Sequence, residues 1–67
     1  MRIREQLPES LFRAYMKGVI EFGLPVAWLD LGFIEFLTWL EYARIDLPGP
    51  LARWERHQAL HALGLAP

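Results

Sequence analysis

An all-α domain of three helices is what this sequence predicts. Three observations carry that expectation: apolar residues return every three or four positions, prolines and glycines stand where helices start and stop, and no segment reads as a strand. The expected helices cover about residues 9–22, 25–44 and 50–63. Residues 1–7 form a short N-terminal arm, either disordered or extended and pairing with a partner, and residues 1–67 are read as one domain.

The first helix starts at Pro8, whose fixed φ suits a first turn, or at Ser10 as an N-cap. Gly23 ends it and Pro25 forbids continuation. Leu11, Phe12, Tyr15, Met16, Val19, Ile20 and Phe22 recur at helical spacing, with Arg13, Lys17 and Glu21 on the other side. Glu9–Arg13 and Lys17–Glu21 stand four apart, the spacing of ion pairs along a helix.

The second helix has Pro25 in its first turn and runs to about Arg44. One broad arc holds Trp28, Leu29, Gly32, Phe33, Phe36, Trp39, Leu40 and Ala43. The opposite arc has Asp30, Thr38 and Glu41, but Ala27, Leu31, Ile34 and Leu37 sit among them. A helix apolar nearly all round needs cover all round, yet a central helix among three meets only two neighbours. If roughly 400 Å² of its apolar surface stays uncovered, hiding it in an association is worth about 10 kcal/mol before entropic costs. Gly32, inside this expected helix, reads as a point of close approach to a neighbour, where leucine would overpack at about 1–3 kcal/mol.

Asp46-Leu47-Pro48-Gly49-Pro50 is a turn, and Pro50 opens the third helix. Leu51, Ala52, Ala59, Ala62 and Leu63 can pack, Trp54, His57 and His61 form a second stripe, and Arg53 and Arg56 are expected in solvent. Gly64 caps this helix, with Pro67 beyond it.

Composition points to association. The chain is 54% hydrophobic and 13% aromatic, although most residues of a domain this small touch water. Its mean hydropathy is +0.16. It has no cysteine, so no disulfide staple and no thiolate metal cage. Asparagine is absent and lysine occurs once against six arginines, the pattern of a GC-rich or thermophilic proteome. Net charge −1 gives no electrostatic footprint for nucleic acid. Met1–Leu7 lacks the apolar core of a secretory signal. Residues 26–40 are too short, and with Asp30 and Glu35 too acidic, for a membrane span. A cytoplasmic location is expected.

Sites of chemistry are few. His57 and His61 stand four apart, the spacing at which two imidazoles can share a metal, but Glu55 points elsewhere and Gln58 occupies the position where a zincin has glutamate. Asp30, Glu35 and Glu41 are the candidate paired carboxylates for acid–base work, and Asp30 and Glu41 fall on one face of the expected helix. With no lysine, histidine or hydroxyl cluster beside them, these acids are read as solubilising the helix, or as partners of Arg44, Arg53 or Arg56. Arg2 and Arg4 with Arg53 and Arg56 could meet phosphate, without the polar recognition helix of a helix-turn-helix protein. The run Leu47–Arg56 resembles the end of glutathione-transferase-type helical domains over that short stretch, with no thiol-binding half and no residue role carried over.

The expectation is therefore a protein–protein interaction module, working as a homo-oligomer or as an accessory subunit through an apolar face of the central helix. Its contact residues would be Trp28, Gly32, Phe36, Trp39, Ala43 and Trp54. No cofactor and no catalysis by this chain alone are expected. The alternatives are a nucleic-acid-binding regulator using arginines of the arm and third helix, and a helical subunit completing a shared metal or acid–base site.

Overall fold

The structure is a computed structural model and describes residues 1–65. In chain order it forms α1 (Ile3–Gln6), α2 (Glu9–Phe22), a 3-10 segment (Val26–Asp30), α3 (Phe33–Ala43) and α4 (Gly49–Ala62). This is a small all-α domain of three longer helices with a short N-terminal arm. Among the described residues the only β pairing is an isolated antiparallel bridge, Arg2 to Gly32.

α2 follows its sequence signals. Pro8 takes the N-cap position and Gly23 ends the helix in the left-handed region, at φ 73°, where a side chain would be strained. The Gly18 carbonyl accepts the N–H groups of both Gly23 and Leu24. Both expected ion pairs form, Arg13 to Glu9 at 2.7 Å and Lys17 to Glu21 at 4.0 Å. Being exposed, such pairs add only about 0.3–0.5 kcal/mol each.

The expected helix over residues 25–44 is in fact two elements. Val26–Asp30 wind as a 3-10 turn, Leu31 and Gly32 are extended, and α3 starts at Phe33. The break has a physical cause. The Leu31 carbonyl accepts the Ile3 N–H at 2.8 Å, whereas in a continuous helix it would face the N–H four residues on. Gly32, a poor residue for a helix interior, serves instead as the N-cap of α3. Nothing lies within 4 Å of where a Cβ on Gly32 would stand. The close approach expected there does not exist.

The arm is also ordered within the chain. Ile3 is fully buried and Leu7 is buried with it, so α1 lids the core beside the 3-10 segment. Arg4 Nε donates to Asp30 Oδ1 at 2.9 Å across the same contact. Asp30 thus pairs with the arm rather than with Arg44, Arg53 or Arg56, and it no longer shares a helix with Glu41.

The core comprises Ile3, Leu7, Tyr15, Leu24, Trp28, Leu29, Phe36 and Leu51, with no buried charged group among the described residues. Every element contributes. Phe36 is its aromatic centre: Trp28 meets it edge-on at 5.9 Å, Trp54 lies 6.4 Å away, and Phe33 bridges Phe36 and Trp54. Such pairs add about 0.5–1.5 kcal/mol each beyond area burial.

One face of α2 fixes the connector. The Tyr15 hydroxyl donates to the Pro25 carbonyl at 2.6 Å, and that carbonyl also accepts the Trp28 N–H. One turn on, Gly18 leaves room for Leu24, whose Cδ1 lies 2.5 Å from where a Cβ would be, with Pro48 Cγ at 3.5 Å. α4 starts there: Pro48 is its N-cap and Gly49 its first residue, one position earlier than expected. At its far end Gly64 is left-handed and the Leu65 N–H reaches the Leu60 carbonyl at 2.9 Å, a Schellman closure. Pro67 lies outside the described residues.

Substitutions separate the glycines. Gly18→Ala should lower stability by about 1–3 kcal/mol in urea denaturation, because buried Leu24 cannot retreat, even though alanine favours a helix interior. Gly32→Leu should cost about 1 kcal/mol, the loss of a favoured N-cap residue. Gly32→Ser should be neutral or stabilising, whereas a buried Gly32 inside a helix over residues 25–44 would make any added side chain overpack.

Tyr15 supplies a pH signature. Burial pushes its hydroxyl from 10.0 up to about 12, because the charged phenolate is poorly solvated there. Between these values the unfolded phenol ionises while the folded one keeps its proton. Stability is therefore fully present below pH 10 and falls as pH rises towards 12. Urea melts at mild and strongly alkaline pH should show this loss. It should shrink in Tyr15→Phe, which at neutral pH is weaker by about 0.5–1.5 kcal/mol for the missing hydrogen bond.

Candidate contact surface

α3 uses only one side of itself for the core. Phe36 is buried and Phe33, Leu37 and Leu40 pack against it. The other side carries Ile34 (67% exposed), Trp39 (48%) and Tyr42 (80%). Trp39 and Tyr42 stand three residues apart and their rings meet edge-on at 5.7 Å. Taking ~150–250 Å² for a whole large side chain, the three leave roughly 400 Å² of mostly apolar surface in water. That equals the largest apolar patch of an ordinary monomer, here on a chain of 67 residues. Thr38, on the same side, donates its hydroxyl to the Ile34 carbonyl at 2.9 Å and so needs no outside partner. Glu35 and Glu41 are exposed on α3 as well.

The six residues singled out from the sequence separate. Trp28 and Phe36 are core residues, 8% and 1% exposed, and offer no outward surface. Trp54 is half-buried in the aromatic cluster around Phe36. Gly32 is the α3 N-cap. Only Trp39 and Ala43 are exposed. Ile34 and Tyr42, which the sequence did not single out, join Trp39 on the outer side. The signal for Tyr42 was present: at helical spacing it falls opposite the Phe33–Phe36–Leu40 stripe, while Trp39, three residues on from Phe36, stands at the edge of that stripe and is 48% exposed.

Other candidate chemistry is not assembled. His57 and His61 are both exposed on α4, and among the described residues no three His, Asp or Glu side chains group as metal ligands. A groove of about 430 Å³ runs between the end of α2 and the start of α4, lined by Ala14, Lys17, Glu21, Phe22 and the Pro48–Pro50 turn. Its two ionisable groups, Lys17 and Glu21, face each other at 4.0 Å. No helix among the described residues is long and apolar enough to cross a membrane.

Compared with known proteins, the chain matches no protein-family model, no curated protein and no solved structure. The short resemblance of Leu47–Arg56 to glutathione-transferase-type domains therefore carries no family assignment.

Proposed function

We propose that this chain is a protein–protein interaction module whose contact surface is the outer side of α3. It would act in the cytoplasm, as a homo-oligomer or as an accessory subunit of a larger complex. The observation that carries this reading is the Trp39–Tyr42 pair, two aromatic side chains held against each other in solvent while a complete aromatic core exists without them. Tryptophan and tyrosine dominate binding hot spots because each buries a large area with few rotamers to fix. The mechanism is burial: hiding roughly 400 Å² of apolar surface contributes about 10 kcal/mol before the costs of association. The nucleic-acid alternative has no comparable support. Arg4 is engaged by Asp30, and the net charge is −1.

The double variant Trp39→Ser/Tyr42→Ser tests this reading. Tyr42 is exposed and Trp39 half-covered, so the variant should keep its helicity and lose about 1–3 kcal/mol of stability while remaining folded. It should lose at least tenfold in self-association by sedimentation, or in binding to whatever protein co-purifies with the natural chain. A variant that keeps the natural mass and the natural partner would refute the assignment.

A further inference from the structure

The exposed sides of α3 and α4 are opposite in charge, each around an apolar centre. On α3, Ile34, Trp39 and Tyr42 are flanked by exposed Glu35 and Glu41, and no cation occurs between Phe33 and Ala43. On α4, exposed Leu60 shares a side with Arg53, Arg56 and His57 at three- and four-residue steps, and exposed Leu63 follows just past the helix. The single acid of α4, Glu55, falls off that side and is half-buried. Among the described residues the intrachain ion pairs join Arg4 to Asp30, Arg13 to Glu9 and Lys17 to Glu21. Glu35, Glu41, Arg53 and Arg56 take part in none of them.

We propose that the partner is a second copy of this chain, docked with the acid-flanked aromatic face of α3 on the arginine-flanked leucine face of α4. This inference rests on the reading of α3 as a contact surface and names what covers it. Glu35 and Glu41 of one copy meet Arg53 and Arg56 of the other, and a guanidinium can also lie over the Trp39 or Tyr42 ring. Pairing α3 with α3 instead sets the acids of one copy against the same acids of the next, a like-charge juxtaposition that interfaces avoid. The size is adequate in a two-fold pair: with both faces given to the same partner, each copy hides on the order of 600 Å² of apolar surface, whereas a standard interface takes ~800 Å² per partner, little more than half of it apolar. Such a contact is heterologous and closes as a two-fold pair only if each copy gives both faces to the same partner.

A charge-swap experiment decides it. The natural protein should sediment above monomer mass, and its association should weaken as salt rises. Glu35→Arg/Glu41→Arg makes both faces basic, and Arg53→Glu/Arg56→Glu makes both acidic, so each variant alone should run as a folded monomer. Mixed in equal amounts the two should regain the natural mass, because every contact then joins unlike faces. Retention of the natural mass by Arg53→Glu/Arg56→Glu, where Trp39→Ser/Tyr42→Ser loses it, would overturn the α3-on-α4 contact while leaving α3 as the binding surface. Failure of the mixture to recover, or association indifferent to salt, would overturn it too. A natural protein that stays monomeric at millimolar concentration would exclude the second copy and leave only the accessory-subunit form of the broader reading.

Discussion

The path of the chain between α2 and α3 depends on one face of α2, where Tyr15 and Gly18 meet the connector and the start of α4. The Tyr15 hydroxyl holds the Pro25 carbonyl at 2.6 Å, and the bare Cα of Gly18 admits Leu24 and Pro48. Together they turn the chain back under α2, which brings Trp28 and Leu29 to Phe36 and starts α4 against α2. A side chain at position 18 would force the buried Leu24 side chain to shift. A 67-residue chain has little other means of uniting its elements, since a domain of this size buries only about 60% of its unfolded surface.

The same constraint produces the exposed aromatics. The core recruits the arm through Ile3 and Leu7 and the 3-10 segment through Trp28 and Leu29, so α3 needs to supply only its Phe33–Phe36–Leu40 side. What remains of α3 faces water with Ile34, Trp39 and Tyr42 on it. The apolar excess in the composition is thus concentrated on a helix face rather than scattered. Among the described residues Glu35 and Glu41 take part in no ion pair, and neither do Arg53 and Arg56. That arrangement is what supports the proposal of an interaction surface on α3, and the opposite charges of the two faces are what support a second copy as its partner.

Much of the fold was legible in the sequence, and the failures have physical causes. Pro8, Gly23 and the Leu11–Phe22 periodicity mark α2 closely, with Pro8 the N-cap instead of a first-turn residue and Ser10 inside the helix, and Pro48-Gly49-Pro50 marks α4 to within one. The break at Leu31–Gly32 was not legible, because a bond from Ile3, far upstream in the chain, decides it and the apolar pattern runs on through it. Counting Gly32 as a helix interior residue put it on the buried arc beside Trp28 and Phe36. The C-terminus of α3 carries no glycine either; Arg44 takes the left-handed position at φ 53°, a conformation its side chain does not announce. The candidate surface was half legible: Trp39 was singled out, but Ile34 and Tyr42 were not, because apolar residues surround this helix and the sequence does not say which side the core takes.

Of the three tryptophans, Trp28 is buried, Trp54 is half-buried and Trp39 is exposed, so each reports a different place. Fluorotryptophan-labelled protein, assigned with Trp39→Phe, allows fluorine NMR to follow each indole as concentration rises. If a second copy covers α3, the Trp39 resonance alone loses most of its water–heavy-water isotope shift on going from dilute to concentrated solution, while Trp28 shows little shift throughout. A Trp39 resonance that keeps its full isotope shift up to millimolar protein would contradict the account.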